Sequence, residues 1–311
     1  MKSNKNVKEI QLYEKYMLFR SCSISNKCPG IEVATKYAFS ELDILLDESD
    51  EHTCCGGNAI IFSSIGQVNS TILMTARNLA VAGEKELNIV TMCNGCYKNL
   101  NEFGEYIVKN PEVMNSVNDK LREINREYNG KSKVYHVMEV LYSKRSDIAK
   151  KAKYTLNGLK FAIHYGCHYS FGAKNHAIDD SFSTSTMEEM IEMLGGKIVN
   201  YTEEKTCCGS GILNNTYVNK ELAMSVAERK YESLNSTEAD AVIVMCPYCM
   251  MTLDRMQLNF HMTMGKKYII PVLHIAQILS LAMGAAPANL GFETNLTSLE
   301  GFMKKWEGLH A

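Results

Sequence analysis

Short apolar runs recur along the chain, and each of them comes shortly before a cysteine. The runs that precede a Cys-x-x-Cys are bounded by polar residues on both sides, which is typical of fully buried parallel strands. Helical patterns follow the cysteine turns. The predicted strands are residues 16–19, 44–46, 87–92, 159–163, 197–199 and 241–245. This alternation predicts an α/β protein with parallel strands and flanking helices.

The cysteines divide the chain into two copies of one pattern. Cys22 and Cys167 begin the two copies, 145 residues apart, and a Thr-Cys-Cys-Gly sequence and a Cys-x-x-Cys follow in each copy. Four further pairs share a separation of 153 residues: Cys54 and Cys207, Cys55 and Cys208, Cys93 and Cys246, and Cys96 and Cys249. We therefore expect two tandem homologous half-domains, residues 1–154 and 155–311, related by a pseudo-two-fold axis.

The predicted strands place the cysteines at one edge of a sheet. Parallel strands end at the same edge, where open α/β sheets form their binding sites. Because the cysteines follow the strand ends, five thiols in each half should converge there. The sequence thus predicts two clusters of five thiols.

Composition narrows the class of protein. The chain has 311 residues, 46% of them hydrophobic, and a net charge of −2 without a long basic run, so nucleic acid is not an expected partner. Residues 1–15 lack the apolar core of a secretion signal, which favours the cytoplasm. The apolar stretch 269–290 is interrupted by Pro271, His274 and Pro287. We interpret it as a buried strand and helix and expect no membrane span.

Eleven cysteines in a reducing compartment indicate metal binding, since structural disulfides are rare there. A structural zinc site takes four ligands, and an iron–sulfur cluster usually takes four thiolates. Five thiols in each half therefore favour an unusual iron–sulfur cluster. A pair of zinc sites, buried apolar cysteines and cytosolic disulfides remain as alternatives.

The cysteine pattern resembles the cysteine-rich CCG-domain family, over nearly the whole chain. Within that family it is similar to the cluster-bearing B subunits of the coenzyme M–coenzyme B heterodisulfide reductases of methane-producing archaea. The similarity also lies in residues 29–32, residues 75–79, the Cys93-Asn94-Gly95-Cys96 turn and the segment from His164 to His168.

This resemblance implies a cofactor, a substrate and partners. Each set of five cysteines would hold a noncubane [4Fe-4S] cluster, and the heterodisulfide would be cleaved between the two clusters. Separately from the resemblance, the second Cys-x-x-Cys has Pro247 and Tyr248 where the first has Asn94 and Gly95, so zinc in one half is a minor alternative. The implied partners are the other two subunits of a heterodisulfide reductase, one an iron–sulfur protein and the other carrying flavin and iron–sulfur groups, with a hydrogenase or formate dehydrogenase beyond them. Two other functions stay open: electron transfer for a hydroxy acid, fumarate or quinone couple, and a zinc-stabilised scaffold without redox activity.

A few further residues are candidates for specific roles. His168, beside Cys167, is the candidate proton donor. Arg77 and Lys98 are the candidate substrate-binding cations, because the implied substrate is anionic at both ends. We expect His164 to be structural and Cys28, which has no counterpart in the second half, to be an incidental thiol in a loop.

Overall fold

The computed structural model describes residues 7–57, 67–172, 176–180, 183–210 and 220–310. Within these residues the chain forms two four-stranded sheets, both entirely parallel. The first sheet has the order β2-β1-β3-β4 and the second the order β6-β5-β7-β8. The strands of the first are β1 (Lys15–Phe19), β2 (Leu45–Asp47), β3 (Asn88–Thr91) and β4 (Val134–His136). Those of the second are β5 (Lys160–His164), β6 (Lys197–Ile198), β7 (Ala241–Val244) and β8 (Val272–His274).

The two sheets repeat each other in register as well as in order. Phe19 of β1 is paired with Thr91 of β3, and His164 of β5 is paired with Val244 of β7 at the equivalent position. All six strands predicted from the apolar runs are present, with each end within one residue of its predicted place. The α/β fold and the tandem repeat are therefore confirmed, while the boundary between residues 154 and 155 stays a prediction.

Helices cover the sheets and link the strands. In the first half they are α1 (Cys22–Lys27), α2 (Pro29–Glu41), α3 (Val68–Glu84), α4 (Asn94–Lys109), α5 (Pro111–Arg122), α6 (Val137–Ser143) and α7 (Arg145–Lys151). In the second half they are α8 (Thr186–Met193), α9 (Lys220–Asn235), α10 (Pro247–Met264), α11 (Ile275–Met283) and α12 (Glu300–His310), with a π-helical turn at His168–Gly172. Short 3₁₀ turns lie at Pro287–Asn289 and Phe292–Thr294.

Proline and histidine fix the starts of several helices. Proline is the first residue of α2, α5 and α10, where its missing N–H leaves no helical hydrogen bond unmade. His136 and His274 end β4 and β8 and cap α6 and α11, and each imidazole accepts a hydrogen bond from a backbone N–H of the helix. The expected buried strand and helix within residues 269–290 are β8 and α11. No helix among the described residues has both the length and the apolar character needed to cross a membrane.

The two halves interlock through equivalent pairs of helices. Helix α2 of the first half packs on α11 of the second, and α6 of the first half packs on α8 of the second. Ser280 donates a hydrogen bond of 2.7 Å to the carbonyl of Ala34 across the first of these contacts. In the same reciprocal way, α1 contacts α10 and α4 contacts the π-helical turn. Such exchanged contacts are what a pseudo-two-fold relation produces.

Glu139 joins the halves at a second place. One carboxylate oxygen accepts hydrogen bonds from the Tyr97 hydroxyl (2.6 Å) and from the backbone N–H of Ile178 (3.2 Å) in the second half. The other oxygen accepts from the backbone N–H of His136 (2.8 Å). Burial raises the pKa of Glu139 to about 7. These three donors compensate for removing the carboxyl group from water.

Gly30 of α2 lies against the backbone of Gly291 in the second half. A Cβ at position 30 would be 2.2 Å from the carbonyl oxygen of Leu290 and 2.8 Å from Cα of Gly291. Because backbone cannot move aside as a flexible side chain can, only glycine allows this approach.

Replacing Gly30 by alanine should therefore separate the halves. We expect Gly30→Ala to lower the free energy of unfolding by about 1–3 kcal/mol through overpacking. Chemical denaturation of the anaerobically prepared protein measures this. Gly301→Ala is the matched control, since position 301 of α12 has no atom within 4 Å of a new Cβ. The interpretation fails if both variants have the stability of the parent protein.

Candidate metal centre between the two halves

The cysteines lie where the strands end, as their spacing predicts. Cys22 begins α1 directly after β1, and Cys93 caps α4 directly after β3, with Cys96 in the first turn of that helix. The Cys54-Cys55 pair lies in the connection after β2 and is followed by Gly56 at φ +79°. Its equivalent in the second half is followed by Gly209 at φ +92°. Glycine adopts these left-handed angles without strain, so the chain can turn sharply beside the paired thiols.

The ten cysteines form one continuous series of neighbouring thiols, which we call the thiol row. Cys93 of the first half and Cys246 of the second are in contact at its centre. From end to end the order is Cys22, Cys54, Cys55, Cys96, Cys93, Cys246, Cys249, Cys208, Cys207, Cys167. The order within each half is the reverse of the other, so the pseudo-two-fold axis passes between Cys93 and Cys246. Every one of the ten thiols is free.

Crowding shifts the ionisation of these thiols in opposite directions. Hydrogen bonds from Cys54 and Cys96 hold the pKa of Cys55 well below its ordinary value, whereas the neighbouring Cys55 raises the pKa of Cys96. In the second half, Cys249 and Cys93 lower the pKa of Cys246. Adjacent buried thiolates repel one another, so all ten cannot ionise without added positive charge. Metal ions that bind thiolates supply that charge.

A cavity in the second half has room for more than one metal ion. Its volume is about 110 Å³. One water needs only about 10–15 Å³ by the same measure. The cavity is lined by the five cysteines of the second half and by Asn94, Gly95, Gly166, His168, Ser210 and Tyr248. Five thiols around a space of this size fit a polynuclear iron–sulfur group better than a single tetrahedral zinc.

Each set of cysteines is closed by a turn from the opposite half. The Asn94 side chain donates a hydrogen bond of 2.6 Å to the carbonyl of Tyr165, next to Gly166. A Cβ on Gly166 would lie 2.8 Å from the Asn94 amide nitrogen and 3.1 Å from Sγ of Cys249. In the reciprocal contact, the hydroxyl of Tyr248 is 3.8 Å from Sγ of Cys22. Neither half therefore completes its own site.

The proposed proton donor lines this cavity, and one of the proposed cations is close to that residue. His168 lines the cavity, and burial lowers the pKa of His168. Lys98 of α4 is close to His168, its stem passes beside Gly172, and its ammonium pairs with Glu102. Arg77 is placed differently, on α3, where its guanidinium donates a hydrogen bond of 2.6 Å to the carbonyl of Glu51. The roles of these three residues stay predictions.

Cys28 lies in the short connection between α1 and α2 and is buried, with 4% of its surface exposed. That it is an incidental thiol stays a prediction. Burial raises its pKa to about 12. Cys28 is not part of the thiol row, which agrees with its lack of a counterpart in the second half.

Two residues beside the cysteines, Lys230 and Tyr248, were not predicted from the sequence. Lys230 is near Cys208 and Cys249 of its own half, and Tyr248 contacts Cys22 of the opposite half. Lys230 is fully buried on α9, and burial lowers its pKa to about 8. The repeat could have identified it, since Lys230 lies 153 residues after Arg77. His164, expected to be structural, has a ring nitrogen within 4.8 Å of Sγ of both Cys208 and Cys249.

Known proteins are similar to this chain over most of its length. The family model described as a cysteine-rich domain, CCG, matches residues 16–101 and 161–254. The chain is 33% identical over 293 residues to the B subunit of the ferredoxin:CoB-CoM heterodisulfide reductase of Methanosarcina mazei, covering 94% of this chain and 96% of that protein. It is 26% identical over 285 residues to the 8-methylmenaquinol:fumarate reductase membrane anchor subunit of Wolinella succinogenes, covering 92% of this chain and 98% of that protein.

A solved structure from another organism shows the same fold. A crystal structure of a hypothetical protein from Helicobacter pylori superposes with a TM-score of 0.71 at 16% sequence identity. The match covers 92% of this chain and 52% of that chain. At this identity the likeness concerns the fold alone.

Removing one thiol from the row should disable one set of five. We expect Cys54→Ala and Cys207→Ala each to lower the bound metal by about half, because each breaks one set and leaves the other complete. Elemental analysis of protein purified without oxygen measures this. Cys28→Ala, also a buried thiol, should keep the full metal content. Equal losses in all three variants would show that the thiol row does not define the metal sites.

Proposed function

The chain belongs to the cysteine-rich CCG-domain family, and on that premise we propose that it is the catalytic, cluster-bearing B subunit of a heterodisulfide reductase. Its curated relatives are subunits of reductases, and an oxidoreductase role agrees with them. In this proposal the chain cleaves the coenzyme M–coenzyme B heterodisulfide to two thiols at two noncubane [4Fe-4S] clusters.

The thiol row is the observation that carries the proposal. Cys22, Cys54, Cys55, Cys96 and Cys93 would hold one cluster, and Cys246, Cys249, Cys208, Cys207 and Cys167 the other. Because Cys93 and Cys246 are in contact, the two sites adjoin at the interface of the halves. A disulfide bound there would have one sulfur near each site. Two separated sites could not hold both sulfurs of one substrate.

The reaction consumes two electrons and two protons: RS–SR′ + 2e⁻ + 2H⁺ → RSH + R′SH. When bound, the two clusters would supply one electron each. His168 lines the cavity of the second half, where its imidazole would be placed to give a proton to a thiolate. Lys98, on the opposite half, provides positive charge close to His168 for an anionic substrate group.

The electrons must come from other subunits. All ten cysteines of the thiol row are assigned to the two sites. Among the described residues only Cys28 is left, and one thiol does not form a further cluster site. The proposed partners are the other two subunits of the heterodisulfide reductase complex, namely its iron–sulfur subunit and its flavin and iron–sulfur subunit.

A second candidate function has its own support. The relative from Wolinella succinogenes is a fumarate reductase subunit and matches nearly the full length of this chain. The same thiol row would then pass electrons between a quinol-type donor and a separate subunit that reduces the final acceptor. The two functions differ in whether this chain itself reduces a disulfide.

Metal content and activity test the proposal together. We expect protein purified without oxygen to contain about eight irons per chain, as two four-iron clusters require, with a matching amount of acid-labile sulfide. With a reduced viologen as the artificial donor, it should reduce the coenzyme M–coenzyme B heterodisulfide. Cys207→Ala should keep about half of the iron and lose the activity, because both sites are needed.

Two results would contradict the proposal. Zinc in place of iron in protein from its native source would leave the chain a non-redox scaffold. A full iron content without disulfide reduction by any donor would favour electron transfer for another couple.

The two candidate cations can be compared directly. We expect Lys98→Met to raise KM for the heterodisulfide by about tenfold, because the variant loses the binding free energy of one charge contact. The effect on kcat should be smaller. Arg77→Met is the matched variant, and it should have the smaller effect on KM, because Lys98 is the cation close to His168 whereas the Arg77 guanidinium lies beside Glu51. Steady-state kinetics with the artificial donor measure both constants. An unchanged KM in Lys98→Met would remove this residue from the substrate site.

A further inference from the structure

The second half contains a buried basic pair beside its cysteines. Lys230 of α9 and His164 at the end of β5 are both buried, with 0% and 1% of their surfaces exposed. The ammonium of Lys230 is 3.5 Å from Nδ1 of His164. It also lies 5.0 Å from the ring centre of Tyr201. A buried ammonium has three donors to satisfy, so its surroundings determine which acceptors it uses.

Three acceptors surround the Lys230 ammonium. It donates to the carbonyl of Glu203, and the carbonyl of Glu204 lies 3.5 Å away. Nδ1 of His164 is the third group within reach. If Nδ1 carried the ring proton, that proton would share this space with the ammonium. Nδ1 also lies 3.4 Å from the carbonyl of Glu204, a contact that would need the proton on Nδ1. The ammonium beside Nδ1 and the sulfur acceptors of Cys208 and Cys249 beside the ring favour the other tautomer, with the proton on Nε2.

Nε2 of His164 lies near Gly166, which is also next to Cys249. It is buried and has no hydrogen-bond partner among the described residues. A Cβ built on Gly166 would be 4.0 Å from this nitrogen and 3.1 Å from Sγ of Cys249. A ring nitrogen of His164 and the Sγ atoms of Cys208 and Cys249 lie within 4.8 Å of one another.

The first half has no such donor at the equivalent place. Phe19 occupies the position equivalent to His164. Phe19 pairs with Thr91 of β3, and His164 pairs with Val244 of β7, which is the counterpart of Thr91. Phe19 is buried and packs against the His52 ring, with ring centres 4.8 Å apart. Arg77, the counterpart of Lys230 in the repeat, is only half-buried. The two sets of cysteines thus differ in their polar surroundings although their thiols match.

We propose that His164, oriented by Lys230, donates an N–H···S hydrogen bond to the thiolate of Cys249 or Cys208 and makes the second site the more readily reduced of the two. This inference rests on the proposed function, because it concerns iron–sulfur clusters at both sites. A hydrogen bond to a cluster thiolate stabilises the additional negative charge of the reduced state. The buried ammonium behind the imidazole acts in the same direction. His164 is therefore a positioning residue that ranks the two sites for incoming electrons.

Redox titration of the holoprotein tests this. The signals of the two clusters are followed by EPR while the potential is lowered, in the parent protein and in His164→Phe, which copies the first half. We expect one of the two midpoints to fall by about 59 mV, a tenfold change for a one-electron couple, and the other to stay in place. Phe19→Leu is the matched control, and it should leave the higher midpoint unchanged.

Two further variants keep the test decisive if His164→Phe loses iron. Lys230→Met should lower the same midpoint, because it removes the charge and the donor that orients the ring. His164→Gln keeps an N–H donor and should restore part of the shift. Unchanged midpoints in iron-replete His164→Phe and Lys230→Met would overturn the inference.

Pulsed EPR with ¹⁵N-labelled histidine separates a hydrogen bond from coordination. A weak coupling that disappears in His164→Phe is expected for an N–H···S contact. A coupling as large as that of a directly bound nitrogen would make His164 a ligand and overturn the hydrogen-bond assignment. Absence of iron from the parent protein would overturn the proposed function and this inference together, whereas full iron with unchanged midpoints would overturn the inference alone.

Discussion

The contact between the thiols of Cys93 and Cys246 is the constraint on which the rest of the structure depends. Each of these cysteines follows a central strand of its sheet, so the carboxyl ends of the strands in the two sheets must face each other. Ten thiols then lie side by side in a buried row, where ionised neighbours repel one another. Such a row is stable when metal ions bind the thiolates. Metal binding and the docking of the two halves should therefore be coupled.

The docking of the halves is specified by close backbone contacts as well as by the thiols. Gly30 and Gly291 allow two main chains to approach without any intervening side chain. Glu139 accepts hydrogen bonds from both halves at once. The turns that carry Asn94 and Tyr248 each close the site of the opposite half. A small rotation between the halves would disturb all of these contacts together, which explains how a duplicated chain can hold two sites at one fixed separation.

The duplication is symmetric in its thiols and asymmetric around them. Positions equivalent in the sheets hold Phe19 in one half and His164 in the other, and positions equivalent in the repeat hold Arg77 and Lys230. Hydrogen bonds and buried charge are the means by which a protein adjusts a metal group whose ligands stay the same. The structure therefore combines two like sets of thiols with unlike surroundings.

The sequence by itself determined the fold class, the strands and the repeat, because apolar runs and cysteine spacing are local features that survive duplication. It also identified the ten thiols of the row and set Cys28 apart from them. The order of the thiols, the contact of Cys93 with Cys246 and the burial of Lys230 behind His164 were decided only by the tertiary structure. These features join residues 66 to 226 positions apart in the chain, such as Lys230 with His164 and Tyr248 with Cys22. Spacing along one chain does not encode how two folded halves are rotated against each other, since that depends on packing between their helices.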